Sequence, residues 1–242
     1  MVGLRAQNSS TLQELASWGY VVVALDHTDA AAATVFPDGE TRRFDLQRFG
    51  ISPADEERAT EVLLPVWLAD QRFIYATLAQ WAQNDPLLGG RLDLQRMGSF
   101  GHSFGGATAL AVCQVEARCR AAVILDGGVA DAQLSKPTTR PLLLMSSSHS
   151  HELPDTIAKW TRLISTAAAP AYWLELPGSD HYSFTIVPLL SPLLAPPGVD
   201  ARATLGVVDK YLRAFFDLHL RGKATPLLQP TAGETDVRWH SR

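Results

Sequence analysis

Apolar runs and helical patterns alternate along the chain. Residues 20–25 form an unbroken apolar and β-branched run, which is typical of a strand covered on both faces in a parallel sheet. Further strands are predicted at residues 96–100, 121–125, 142–145 and 171–176, of which 121–125 and 142–145 are wholly apolar. Strands that alternate with helices form layered α/β folds. We therefore expect an α/β fold with a mainly parallel central sheet and helices on both faces, in one domain over residues 1–242.

Capping residues and prolines mark the predicted helices. Ser9 or Ser10 can cap a short helix that Gly19 ends. A second helix is predicted to begin after Ser52, and Pro65 is expected to break or kink it because proline cannot donate a backbone hydrogen bond. Apolar residues at helical spacing then predict a closing amphipathic helix around residues 205–216.

Composition excludes several classes of function. The chain has 242 residues, 46% of them hydrophobic, and a formal net charge of −4. No basic block suggests nucleic acid or an anionic membrane as a partner, and no apolar run reaches the roughly 18 residues that suggest a transmembrane segment. The first residues lack the pattern of a secretion signal. The chain as written is therefore expected in the cytoplasm, or secreted if its true start lies upstream.

Two cysteines are candidates for a disulfide, and two histidines are candidates for a metal site. Cys113 and Cys119 could pack as small apolar thiols or form a short-loop disulfide. His149 and His151 come nearest to metal-ligand spacing, but an isolated pair of this kind usually lies in a solvated loop. We therefore expect no metal site.

The strongest chemical signal is the segment 101–105, Gly-His-Ser-Phe-Gly, which matches G-x-S-x-G. An apolar strand precedes it and a helix rich in small residues follows, which is the setting of a nucleophile elbow. Glycines are needed there because the serine lies on a strained turn where neighbouring side chains would collide. The motif predicts Ser103 as a nucleophile and the backbone N–H of Phe104 as an oxyanion donor. The alternative is a glycine-rich turn with an incidental serine.

A serine nucleophile needs a base, and the base needs an acid that orients it. In this class of fold the three follow in the order Ser, acid, His. His181 lies after the last strong strand, on a loop at the carboxyl end of that strand, and is the predicted base. His219 and His240, nearer the end of the chain, are expected on the surface.

The residues alone leave the acid open. Asp126 directly follows the strand at 121–125, and a carboxylate at the end of an apolar strand is costly unless it has a partner such as histidine. Glu152 and Asp155 follow the next strand, which is the commoner position for the acid, and Asp180 adjoins the predicted base. Spacing does not choose among these carboxylates.

Three segments together resemble a known family: residues 14–27 (ELASWGYVVVALDH), 101–106 (GHSFGG) and 122–127 (AVILDG). They look like the plasma-type platelet-activating factor acetylhydrolases, especially the bacterial members, and residues 177–184 resemble that family's histidine loop. The resemblance implies an α/β-hydrolase fold, calcium-independent hydrolysis of short or oxidised acyl esters, and no cofactor. It also implies Asp126 as the acid, because the family places an aspartate directly after the strand that follows the nucleophile helix.

The start of the chain departs from the family pattern. Residues 3–8 (GLRAQN) resemble the end of a His-Gly loop that supplies the second oxyanion N–H, so the fold is expected to lack its N-terminal strands and Met1 falls near the donor position. Loss of one such donor costs about 3 to 4 kcal/mol of transition-state stabilisation. Either the true start lies upstream, or the strand at 20–25 pairs directly with residues 96–100.

These observations predict a serine carboxylester hydrolase acting on a small-molecule or lipid ester through an acyl-enzyme. Phe36, Trp67, Tyr182 and Phe184 are candidate substrate-binding residues, each of which could equally belong to the core. One alternative is a polyester or cutin hydrolase with its acid one strand later. Another is a hydrolase scaffold without catalysis, and the oligomeric state is not readable from the sequence.

Overall fold

The structure is a computed structural model that describes residues 3–52, 55–230 and 233–240. The helices are α1 (Ser9–Ser17), α2 (Glu56–Asn84), α3 (Phe104–Val115), α4 (Asp131–Leu134), α5 (Pro154–Ser165), α6 (Val187–Leu190) and α7 (Ala201–Arg221). The strands are β1 (Ala33–Val35), β2 (Thr41–Arg43), β3 (Met97–His102), β4 (Cys119–Leu125), β5 (Leu142–Ser147), β6 (Ala171–Leu176) and β7 (Arg238–His240). Among the described residues no helix has the length and apolar character needed to cross a bilayer.

The chain divides into two compact units, and the smaller comprises residues 1–7 and 22–92. In this unit β1 and β2 form an antiparallel hairpin, and α2 continues through Pro65. The helix is therefore not broken at this proline, and a kink there stays a prediction. Leu63 and Trp67 are buried on either side of it, so packing of the apolar face compensates for the lost backbone hydrogen bond. Trp67 stacks on the buried ring of His27, with ring centroids 3.9 Å apart.

The strand predicted at residues 20–25 is absent. Residues 20–27 have no regular secondary structure, and Val21 and Val23 are exposed. Consequently the pairing of this segment with residues 96–100 does not occur either. An apolar run shows which side chains avoid water, but it does not specify a neighbour to complete a hydrogen-bonded ladder.

The larger unit comprises residues 8–21 and 93–242 and contains a five-stranded sheet in the order β3-β4-β5-β6-β7. The first four strands are parallel, and β7 joins the edge antiparallel to β6. Both β4 and β5 are almost entirely buried, as the continuous apolar runs predict. Since parallel strands end at the same edge, the residues that follow β3, β4 and β5 lie side by side.

Helices α3 and α7 pack against this sheet. A Cβ at Gly98 in β3 would lie 2.7 Å from the ring of Phe216 in α7, and a Cβ at Gly106 in α3 would lie 2.9 Å from Ile124 in β4. Contacts this close exclude any residue larger than glycine without a shift of the neighbour. The predicted closing helix is confirmed as α7, whose buried Asp209 accepts hydrogen bonds from the hydroxyls of Ser10 and Thr11 in α1.

The two cysteines form a disulfide. Cys113 near the end of α3 is bonded to Cys119 at the start of β4, with Cα atoms 4.9 Å apart. The bond therefore ties the helix that follows the predicted nucleophile to the strand that precedes the predicted acid.

Candidate active site

Ser103 occupies a sharp turn between β3 and α3. Its backbone is in the positive-φ region, with φ 57° and ψ −125°, which is strained for a residue with a side chain. A Cβ at Gly101 would collide with the backbone of Gly105, whereas a Cβ at Gly105 itself would meet nothing within 4 Å. The first glycine of the motif is thus required by close approach of the chain after the serine. These features are those of a nucleophile elbow.

Asp126 lies on the neighbouring strand end. The Ser103 N–H donates to the carbonyl of Leu125 at 2.9 Å, and the Asp126 N–H donates to the carbonyl of Met145 at 2.7 Å. Asp126 also has positive φ, at 48°. A Cβ at Gly127 would collide with the carbonyl oxygen of Ser103, so this glycine lets the two strand ends approach each other.

The Asp126 carboxylate holds His181. Its Oδ2 lies 2.8 Å from His181 Nδ1, and the carboxylate is fully buried while the imidazole is 39% exposed. Oδ1 accepts the backbone N–H of Ser147 at 2.7 Å, and Oδ2 also accepts the hydroxyls of Ser147 and Ser150. Burial acts to raise the pKa of Asp126, but these donors, led by His181 and the Ser147 N–H, outweigh it and hold the pKa below its ordinary value. The carboxylate therefore stays ionised.

The other candidate acids have different partners. Glu152 and Asp155 are exposed, and Glu152 lies 3.4 Å from His149. Asp180 accepts the backbone N–H groups of the two residues after His181 and so caps the His181–Phe184 turn. Of the four carboxylates that spacing left open, Asp126 is the one that the structure brings to the Nδ1 of His181.

His102 is a site residue that the sequence reasoning missed. Its ring lies 4.4 Å from the ring of His181, centroid to centroid, and its Nε2–H donates to the His181 carbonyl at 2.7 Å. Burial, and then the neighbouring His181, lower the pKa of His102 to about 4. A neutral His102 holds the backbone of His181 without placing a positive charge beside the base. Its position directly before Ser103 was the available signal, since that residue ends β3 at the same sheet edge.

The remaining predicted residues lie in varied surroundings. Phe104 is the first residue of α3, where backbone N–H groups point away from the helix, and Met1 lies outside the described residues. Tyr182 is half exposed beside His181, with ring centroids 6.0 Å apart. Phe184 is fully buried, in a core position that offers no surface to a substrate. Phe36 and Trp67 belong to the smaller unit, where Phe36 is half-buried and Trp67 buried.

Comparison with known proteins places these features in a family. Residues 80–203, just over half of the chain, match the sequence model of the family described as platelet-activating factor acetylhydrolase, isoform II. Among curated proteins the chain is similar to the platelet-activating factor acetylhydrolases of Cavia porcellus and Canis lupus familiaris. Each is 22% identical over 86% of this chain and 52% of its own length. The chain thus spans about half the length of these relatives.

A solved structure supports the same assignment. The ferulic acid esterase from Streptomyces cinnamoneus superposes with a TM-score of 0.81 at 29% identity, over 99% of this chain and 71% of that one. With the parallel sheet and the elbow after β3, this confirms the α/β-hydrolase fold expected from the sequence. On the family match and this likeness, the chain belongs to the platelet-activating factor acetylhydrolase, isoform II, family.

Proposed function

We propose that this protein is a serine carboxylester hydrolase that cleaves short-chain acyl esters through an acyl-enzyme. Ser103 is the nucleophile, His181 the base and Asp126 the acid that orients it. The observation that carries the proposal is the 2.8 Å contact between Asp126 Oδ2 and His181 Nδ1, at the strand end that adjoins the strained Ser103 turn. Family membership and the likeness to an esterase support the same reaction.

Proton transfer follows from the hydrogen bond on Nδ1. Because an ionised Asp126 accepts there, His181 carries its proton on Nδ1 and presents the lone pair of Nε2. Nε2 takes the proton of the Ser103 hydroxyl while Oγ attacks the ester carbonyl carbon. Collapse of the tetrahedral intermediate returns that proton to the leaving alcohol and gives the acyl-enzyme. Water, deprotonated by the same Nε2, then releases the carboxylic acid and restores Ser103.

The backbone N–H of Phe104 is proposed as a donor to the oxyanion. It belongs to the residue after the nucleophile, at the N-terminus of α3. The partial positive charge of a helix N-terminus favours negative charge at that point.

The proposed substrate is a small-molecule or lipid ester with a short acyl group, as in the family. Tyr182 is the proposed substrate contact, because its ring adjoins His181 and is half exposed. A second candidate is a feruloyl ester. The observation that favours it is the structural likeness to the ferulic acid esterase, which extends over 99% of this chain.

Ester hydrolysis by purified wild-type protein and Ser103→Ala tests the reaction. We expect hydrolysis of p-nitrophenyl acetate, stoichiometric labelling by a fluorophosphonate probe, and loss of both in Ser103→Ala. Unchanged activity in Ser103→Ala would remove Ser103 from the mechanism. Folded wild-type protein that the probe never labels would instead support the catalytically silent scaffold.

A substrate panel separates the two candidate ester classes. We expect kcat/KM to fall from p-nitrophenyl acetate to longer p-nitrophenyl esters if the acyl site is short. Methyl ferulate hydrolysed faster than the acetyl ester, and lost in Ser103→Ala, would favour the feruloyl substrate.

A further inference from the structure

We propose that His151, Glu175 and His240 bind one divalent transition-metal ion of the zinc class. His151 lies in the short turn His149–Glu152 after β5, Glu175 on β6, and His240 on the edge strand β7. One ligand atom from each residue lies within 4.8 Å of the other two. Two imidazole nitrogens and one carboxylate oxygen are a ligand set that Zn²⁺ accepts, with a fourth position left for water.

The spacing suits an ion with little rearrangement. Oε2 of Glu175 lies 3.0 Å from His240 Nε2 and 3.7 Å from His151 Nε2. Ligands at the usual zinc distances in tetrahedral geometry are separated by about 3.4 Å. Both carboxylate–imidazole separations are therefore within about 0.4 Å of the required value. The third separation, between the two imidazole nitrogens, can be adjusted by rotation of the two half-buried rings.

The carboxylate is held so that Oε2 faces the imidazoles. Glu175 is 3% exposed, and its other oxygen, Oε1, accepts Arg238 at 2.7 Å and the Ser148 hydroxyl at 3.1 Å. Hydrogen bonds of this kind fix the orientation of a metal ligand. Arg238 brings a positive charge to the same carboxylate, but its side chain is 64% exposed and can turn outward when an ion binds.

Aromatic packing orders the two imidazoles. The His240 ring stacks on Trp173 with centroids 4.4 Å apart, and it lies 4.8 Å from the His151 ring. Ring stacking lowers the entropy that these side chains would lose on binding an ion, because their orientation is already restricted.

The ion would link three separate segments of the larger unit. β7 contributes three residues to the edge of the sheet, so a bond from His240 to the ion would anchor this short strand. The turn that carries His151 also carries Ser150, whose hydroxyl donates to Asp126. The proposed role is structural, because it joins the edge strand to the turn that supports the acid.

The two histidines that come nearest to metal-ligand spacing in the sequence, His149 and His151, are not the pair in this cluster. His149 and His151 are two residues apart in sequence, but His149 is 63% exposed and pairs with Glu152. His240 is only 25% exposed, although the sequence predicted a surface position. His149 therefore provides a matched control, because it is a histidine on the same turn that lies outside the cluster.

Calorimetric titration of tag-free, EDTA-treated protein with Zn²⁺ tests the proposal. We expect one ion per chain, a melting temperature raised by Zn²⁺, and visible absorption bands when Co²⁺ replaces it. His240→Ala should weaken binding at least tenfold, since even loss of a residue that orients a ligand costs about 10- to 100-fold. His149→Ala should bind as the wild type does.

The edge position of His240 keeps the test decisive, because its replacement removes no buried charge and circular dichroism can verify the fold. Wild-type protein that binds no Zn²⁺ saturably would overturn the proposal. So would wild-type affinity in His240→Ala, or loss of binding in His149→Ala, which would indicate adventitious surface binding.

Discussion

Replacement of Asp126 by asparagine tests the most specific feature of the site, the tautomer of His181. The Ser147 N–H, 2.7 Å from Oδ1, requires an acceptor there, so the asparagine oxygen would remain at the Oδ1 position. The amide NH2 would then replace Oδ2 and point at His181 Nδ1. The hydroxyls of Ser147 and Ser150 can rotate to accept from it, but the imidazole can accept only by moving its proton to Nε2.

The expected loss of activity in Asp126→Asn follows from that change of the His181 tautomer. With the proton on Nε2, His181 cannot accept a proton from Ser103. A change of this kind in a Ser-His-Asp triad lowers kcat by about 10⁴-fold, which corresponds to about 5 kcal/mol in activation free energy. Because asparagine has nearly the same volume as aspartate, the site should keep its shape.

The assay is kcat/KM for p-nitrophenyl acetate, with Asp155→Asn as the matched control. Asp155 is exposed in the first turn of α5, so its variant should retain wild-type activity. If Asp126→Asn kept more than a tenth of the activity while Asp155→Asn lost it, the acid would lie one strand later, as in the polyester or cutin hydrolase alternative.

Three further changes probe the surroundings of the site. Gly127→Ala should lower the free energy of unfolding, measured in urea, by about 1–3 kcal/mol through overpacking. Gly128 has open space around it, so Gly128→Ala should change that free energy by less than about 0.5 kcal/mol. Equal effects of the two substitutions would contradict the close approach of Gly127 to the Ser103 carbonyl. Burial and the neighbouring His181 lower the pKa of His102 to about 4 in the folded protein. Between pH 6.5 and 4 this histidine is therefore protonated in the unfolded chain but neutral in the folded one. Stability should therefore fall by about 3 kcal/mol as pH drops through that window, and an unchanged pH slope in His102→Gln would refute this. Ser150→Ala removes a donor to Asp126, so it should cost about 1.5–3 kcal/mol of stability and raise the pKa of that carboxyl. An NMR titration in which the Asp126 carboxyl carbon of the variant titrates no higher than in the wild type would argue against it.

The elements that the sequence predicted correctly are those specified by local chemistry. The buried strands β4 and β5 were predicted because nearly every residue in them is apolar, and α7 because its apolar positions recur at helical spacing. The Ser103 elbow was predicted because close backbone approach demands glycine at position 101. In each case the signal is contained within about 20 consecutive residues.

The features that the residues alone did not predict, or left open, depend on neighbours distant in the chain. The run at residues 20–25 has strand composition but no strand, because a ladder requires a partner that composition does not specify. His102 gains its role from the carbonyl of His181, 79 residues away. The choice of Asp126 rested on family resemblance, since spacing left four carboxylates open, and the contact with His181 spans 55 residues.

The position of the acid can be understood from the residue that occupies the end of the next strand. Parallel strands lie about 4.8 Å apart, so the end of β5 is one strand farther from Ser103 than Asp126 is. In this protein that position holds Ser147, whose backbone N–H and hydroxyl both donate to Asp126. A second carboxylate there would face the first across a buried space, and the repulsion would raise the pKa of one of them. The serine instead supplies the donors that keep a buried carboxylate ionised. The acid that follows β4 and the donors at the end of β5 therefore form one interdependent arrangement.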